Sequence, residues 1–209
     1  KVVMAENVTG ILMTQAQKYV RKIYKDLDAA GYICQHWTLD ASEMGVPQQR
    51  KRVFFIALRK DLAEQFLYQA NLFEQKPYLE LVFHEKPIPF SEIEEGLGAP
   101  LTPAFRKWWE LVGPGEYLCK HHPKGSYFNS FRVHPHQVLR TVTATIGAKL
   151  IHHTEPNEVS IKNLIQASTF PLDYDFGESK PKYVVGMSVP PIMVARIAIE
   201  IYNQWLSKI

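Results

Sequence analysis

The chain lacks any run of about 18 uncharged apolar residues, so a bilayer-crossing helix is not expected, and its first residues carry no signal-peptide pattern. Cysteine is scarce: the 209 residues contain two, Cys34 and Cys119, which form neither a CxxC motif nor a framework. A disulfide scaffold is thereby excluded, and a reducing compartment fits. The excess of positive charge is small, +3 formally, with 22% charged residues, so no disordered basic tail is indicated. At 46% hydrophobic, the composition is that of an ordinary globular protein of one or two domains.

What charge there is falls in blocks. Residues 45–60 carry five Arg and Lys and no acid, 61–100 eight acids against two bases, and 101–153 seven bases against two acids, with six histidines. Blocks of this kind suggest a folded protein with one basic cleft, for which nucleic acid is the first partner to test.

The densest signal is Gly45 to Ala57. Gly45 and Pro47 punctuate a turn; Val53 to Leu58 reads as a short, β-branched and aromatic buried strand. Alternation places Arg50 and Arg52 on one face and Lys51 on the other. Two forked guanidiniums side by side suit a phosphate or a planar polar ligand, although a solvated charged turn fits the same residues.

Around this stretch the order is strand, helix, strand, an α/β signature. Val2 to Val8 reads as a parallel-type strand entered at once after Lys1, as expected of a piece of a longer protein. It ends in Glu6 and Asn7, where ligands of open α/β sheets bind. A helix is expected over 13–30 with Gly31 at its C-terminal cap, then a strand over Tyr32 to Leu39. Beyond Asp61 a helical piece over 61–73 is expected, with a capping box of Ser91 and Glu94 and a helix starting at Thr102-Pro103. Residues 113–153 interleave aromatic and basic side chains, among them Tyr117, Lys120, His122, Tyr127, Phe128, Arg132 and Arg140, on irregular β structure. Such a surface suits nucleic acid. The histidines invite a zinc reading, but structural zinc draws on cysteines at short spacing and only Cys119 is near, so no metal is expected. Ser160 is placed to cap a helix to about Ser168, and Pro190-Pro191 opens an apolar final helix that must be largely covered.

Four segments in this order resemble the DNA (cytosine-5)-methyltransferases. Glu6-Asn7-Val8 is similar to the family's Glu-Asn-Val motif, and Gly45 to Arg52 to its Gln-x-Arg-x-Arg motif, with Gln48, Arg50 and Arg52 in the matching places. Thr141-Val142-Thr143 resembles the signature near the end of the target recognition domain. Ser160 to Pro171 and Tyr183 to Pro191 resemble the last two blocks, Phe170-Pro171 and Gly186-x-Ser188-Val189-Pro190-Pro191 being the clearest parts. The likeness covers nearly the whole chain except 61–140, where the family varies because that region selects the DNA sequence.

The resemblance implies an α/β fold: a partial Rossmann-like methyltransferase sheet, with later strands and closing helices, plus a mixed, irregular β-rich target recognition domain. It implies that residues 1–75 are the C-terminal half of the catalytic methyltransferase domain, with a target recognition domain at 76–155 and closing helices at 156–209 packed back on the catalytic domain. The reaction implied is methyl transfer from S-adenosyl-L-methionine to C5 of a cytosine flipped out of duplex DNA. Glu6 would hold the ring at N3 and the exocyclic amine, and Arg52 the base carbonyl oxygen. Arg50 would hold backbone phosphate, Gln48 would help fix the turn or contact DNA, and Thr141 and Thr143 would contact DNA. Ser188 and Val189 would touch the cofactor. The family's Pro-Cys nucleophile and glycine-rich cofactor loop do not occur here; they precede Glu-Asn-Val, so the expected partner is an N-terminal half, without which this chain is expected to be inactive. Met187 replaces the family's Asn, and Lys162-Asn163 its Arg-Glu. A bacterial, cytoplasmic enzyme of restriction-modification is the implied setting, without metal or membrane. A non-catalytic DNA-binding module and an RNA-directed relative are the alternatives.

Overall fold

Six consecutive residues, Val53–Leu58, are buried on both faces of the strand that centres the first sheet. The computed structural model describes residues 1–71, 74–127, 129–145 and 147–209, with only the backbone path given for 68–71 and 74–75. Two compact units emerge: residues 1–40, 51–83 and 196–209 form the first, and 41–50 with 84–195 the second. These cuts differ from the expected 1–75, 76–155 and 156–209.

In the first unit, β1 (Val2–Val8), α1 (Gln17–Ala29), β2 (Tyr32–Asp40) and β3 (Lys51–Arg59) make a three-stranded sheet of order β1-β3-β2. Both flanking strands pair antiparallel with β3, in registers that set Val8 opposite Arg52 and Leu39 opposite Arg52. The expected parallel-type β1 is thus corrected. β1 and β2 run the same way because α1 carries the crossover, but β3 has inserted between them. Hydrophobic runs report burial, not direction. Val20, Ile23 and Leu27 of α1 pack on Cys34, Val53, Phe55 and Ala57. The helix stops at Gly31, whose φ of 85° is the left-handed conformation a C-terminal cap requires.

The helix expected over 61–73 is not there. α2 (Lys60–Ala63) and one 3-10 turn lead into a hairpin of β4 (Leu67–Asn71) and β5 (Glu74–Pro77), with 72–73 outside the described residues. Leu62, Phe66 and Leu67 fit a helical stripe, but from Leu67 the backbone pairs with β5, and that pairing overrode the helical period.

In the second unit, β6 (Leu97–Pro100), α3 (Pro103–Trp109), β7 (Phe131–Arg132), β8 (Leu150–Ile151) and β9 (Asn157–Val159) precede α4 (Ile161–Ala167), α5 (Pro181–Met187) and α6 (Pro191–Gln204). The sheet order is β6-β9-β8-β7, and Phe90, Phe131, Leu139, Val142, Leu164, Ile165 and Val185 form its core. Ser160 caps α4 by accepting from the Asn163 amide at 3.1 Å. Ser91 caps nothing: it lies inside a 3-10 turn, and Glu94 turns instead to His152 and His153. The unit boundary falls within α6, whose far end holds 78–80 of the first unit: Trp205 Nε1 donates to Tyr78 O (2.6 Å) and Gln204 Nε2 to Glu80 O (2.9 Å).

Pro181–Lys208 is long and apolar enough, by length and composition alone, to cross a bilayer. Extended backbone at Ser188 breaks it, leaving α6 with 14 residues, about 21 Å of helix against a hydrocarbon core of about 30 Å.

Candidate active site

Glu6 lies two residues before Val8, the partner of Arg52, so the Glu6 and Arg52 side chains are diagonal neighbours on one face of the sheet. Arg52 Nε and Glu6 Oε1 are 2.8 Å apart, with side-chain exposures of 15% and 31%. Arg52 Nη1 also donates to Lys51 O (2.8 Å). Burial pulls the Arg52 pKa down and the Glu6 carboxylate opposes it. Both residues sit at the carboxyl end of β1, because antiparallel pairing brings the start of β3 there. Among the described residues, Arg52 Nη2 and Glu6 Oε2 remain for a planar ligand with adjacent donor and acceptor atoms. Asn7 faces the other side; its Oδ1 accepts from Val8 N (2.9 Å), and it lines a cavity of about 480 Å³ along α1.

Arg50 is a different object. It precedes β3, so the strand alternation that would pair it with Arg52 does not reach it, and its exposure is 1%. Nη1 donates to Val142 O (3.0 Å) and Nη2 to Gly186 O (3.0 Å). Gln48 is fully buried: Nε2 donates to Ser168 Oγ (2.9 Å) and Oε1 accepts from Val142 N (3.1 Å). Between them Gln49 N donates to Leu139 O (2.8 Å), and Thr141 Oγ1 to Gln49 O (2.6 Å). Gln48 thus fixes the turn, one of the two roles expected of it, and the Arg50 guanidinium expected at a phosphate is turned inward to two carbonyls. Both side chains are consumed in knitting the 48–50 loop to 139–142, Ser168 and Gly186. Gly186 belongs to the same knot, since a Cβ there would stand 2.3 Å from Ala144 N.

Thr141 and Thr143 remain partly accessible, and Ser188 and Val189 form the extended, half-buried link between α5 and α6. Ser188 Oγ donates inward to Val184 O (2.7 Å). The expected basic–aromatic surface is partly turned inward. Arg132 stacks on Trp109 at 4.1 Å and donates to Val112 O and His153 O, while Phe131 is buried. Trp108, His122 and Tyr127 stay together, partly buried, with Trp108 and Tyr127 packed against the Trp109, Val112, Leu118 and Ile151 core. Phe128 lies outside the described residues.

The sequence reading missed the cluster of Glu94, His152 and His153, whose ligand atoms lie within 4.8 Å of one another. His152 Nδ1 accepts from the amides of Thr154 (3.3 Å) and Glu155 (3.1 Å). The proton therefore sits on Nε2, which donates to Glu94 Oε1 at 2.5 Å. A metal there would require an imidazolate, so the cluster reads as a structural hydrogen bond. Its sequence signal was the His-His pair, with no indication of which acid it meets.

The C-5 cytosine-specific DNA methylase family model matches residues 1–203. The chain belongs to this family. It is 27% identical over 215 residues to the type II methyltransferase M.NgoFVII of Neisseria gonorrhoeae, covering 95% of the chain and 57% of that protein. It is 28% identical over 207 residues to M.BbvI of Brevibacillus brevis, covering 91% and 55%. The chain thus spans about half the length of these curated relatives. A mutant of Spodoptera frugiperda DNMT2 superposes with a TM-score of 0.61 at 16% identity, over 97% of the chain and 66% of that structure, a likeness of α/β fold. In a methylase, a reactive thiol would be the first thing to find. Cys34 is not one: burial pushes its thiol up to about 11, and it faces Gln35 O.

Proposed function

We propose that this chain is the C-terminal part of a DNA (cytosine-5)-methyltransferase acting on duplex DNA. Its reaction moves a methyl group from S-adenosyl-L-methionine to C5 of a flipped cytosine. The Glu6–Arg52 pair, set in a chain of this family, is the observation that carries the reading. Glu6 receives the ring edge at N3 and the exocyclic amine, favouring the protonated ring while C6 is attacked. Arg52 holds the base carbonyl oxygen through its remaining Nη2. Their mutual ion pair fixes both before the base arrives, so little reorganisation accompanies the charge that develops on the ring.

Around Ser188 the described residues offer extended backbone, a hydroxyl turned inward and the exposed Met187 side chain. That set fits one uncharged edge of the cofactor and supports Ser188 and Val189 in that role. The nucleophilic cysteine and the rest of the cofactor site are assigned to an N-terminal half, and the chain alone is inactive. Thr141 and Thr143 contact DNA. A bacterial cytoplasmic role in restriction-modification accords with the names of the type II relatives.

The test supplies an upstream half together with labelled S-adenosyl-L-methionine and duplex DNA. Methyl incorporation is expected only when both halves are present. Complete assembly without transfer would favour a non-catalytic DNA-binding module, transfer by the chain alone would refute the division of the site, and transfer to tRNA but not duplex would point to an RNA-directed enzyme.

A further inference from the structure

A recess of about 470 Å³ in the second unit is lined by Ala144, Lys149, Glu158, Lys180, Lys182 and Tyr183, with Ser179 at its rim. Nothing in the Glu6–Arg52 chemistry uses it. Three lysines surround it against one carboxylate, and that carboxylate is engaged, because Glu158 forms an ion pair with Lys149. Lys149 is further held over the Phe105 ring, 5.0 Å from its centroid. Lys182 is half-buried and donates one N–H to Ala148 O (2.8 Å), leaving two of its three donors. Burial pulls its pKa down, Glu158 opposes, and Lys149 adds to the lowering. Two like charges held around one concavity gain most from an anion between them. Lys180 stands exposed at the entrance.

The wall at Ala144 says which anion. Ala144 continues directly from Thr141-Val142-Thr143, and the 143–144 backbone is seated against Gly186 so closely that no side chain fits at that glycine. The recess is therefore built on a close-packed segment next to the threonines assigned to DNA. Its entrance, with Lys180 and Tyr183 exposed, is open to a polymer.

We propose that this recess holds a phosphate of the DNA backbone, with Lys180 and Lys182 supplying the cations and the Ser179 and Tyr183 hydroxyls completing the site. This rests on the methyltransferase reading and deepens it. Lysine acts here as a point charge, so the contact positions DNA without reading bases.

Duplex binding by the 209-residue chain, measured by fluorescence anisotropy across a salt series, tests it. In the Lys180→Gln/Lys182→Gln variant the slope of log K against log salt falls by about 0.9, the loss of one phosphate contact, and falls equally for duplexes of unrelated sequence. A slope unchanged from wild type overturns the proposal. Should the double variant lose its circular-dichroism spectrum, Lys180→Gln alone, at an exposed position, decides: a lowered slope supports the site, an unchanged one overturns it. A parallel titration with inorganic phosphate separates the sources. Tight binding of the free ion together with an unchanged duplex slope assigns the recess to free phosphate and overturns the DNA contact. If the wild-type chain binds no duplex at any salt, the DNA contact of this chain is overturned, whereas the methyltransferase reading stands or falls separately on methyl transfer by the assembled halves.

Discussion

Replacing Arg50 by Met removes both guanidinium hydrogen bonds while keeping most of the buried volume. Each of those bonds joins a charged donor to a main-chain carbonyl, Val142 O or Gly186 O, at 3.0 Å inside the second unit. Hydrogen bonds to charged groups contribute about 1.5–3 kcal/mol each, so the gross loss is about 3–6 kcal/mol. Relief from burying a charge returns part of this, and a net destabilisation of about 2–4 kcal/mol is expected. Arg50→Lys has a single ammonium for two separated carbonyls and should lose roughly half as much. Urea titration followed by tryptophan fluorescence measures it, Trp108 and Trp109 reporting from the same unit. With a slope of about 2–3 kcal/mol per molar urea the midpoint of Arg50→Met should fall by about 1 M. An unchanged midpoint accompanied by a DNA-binding salt slope lowered by about 0.9 would refute the argument and restore Arg50 as a phosphate ligand.

The other expectations are simpler. Arg52→Ala in the reassembled enzyme should cost about 10²–10³-fold in kcat, as for removal of one well-aimed donor, with duplex affinity nearly intact; normal turnover with weakened binding would count against its role at the base. Gly186→Ala should destabilise by about 1–3 kcal/mol through overpacking, seen as a lowered thermal midpoint, because the new methyl meets Ala144 backbone. For Glu94, burial pushes the carboxyl up, but hydrogen bonds from His152 and His153 outweigh it and hold the pKa below 4.5. A depressed folded value means its stabilisation is present above the unfolded value and lost as pH falls through the folded one. Glu94→Gln should therefore flatten the acid limb of the stability–pH curve below about pH 4.5; an unaltered limb would show that the pair contributes nothing.

Much of the fold was legible in local pattern. The buried run Val53–Leu58, the α1 stripe ended by Gly31, the Thr102-Pro103 start and the Ser160 cap are set by neighbours a few residues apart, and each lies where the pattern put it. The Glu6–Arg52 pair could be named from its motifs. Strand direction, by contrast, leaves no trace in periodicity, and the hairpin at 67–77 overrode a helical stripe that fitted the same leucines and phenylalanines.

Arg50 and Arg52 show the division most clearly. The amino-acid sequence alone determined that two guanidiniums flank Lys51 at the entrance to a core strand, and that the chain carries the later motifs of a cytosine-5 methylase. Their separate duties were decided by tertiary structure. β3 begins at Lys51, so Arg52 joins the sheet and meets Glu6, whereas Arg50 stays in the loop and turns to two carbonyls 92 and 136 residues away in the chain. A guanidinium goes where its hydrogen bonds are satisfied, and for a buried one those partners come from distant segments that no local spacing records.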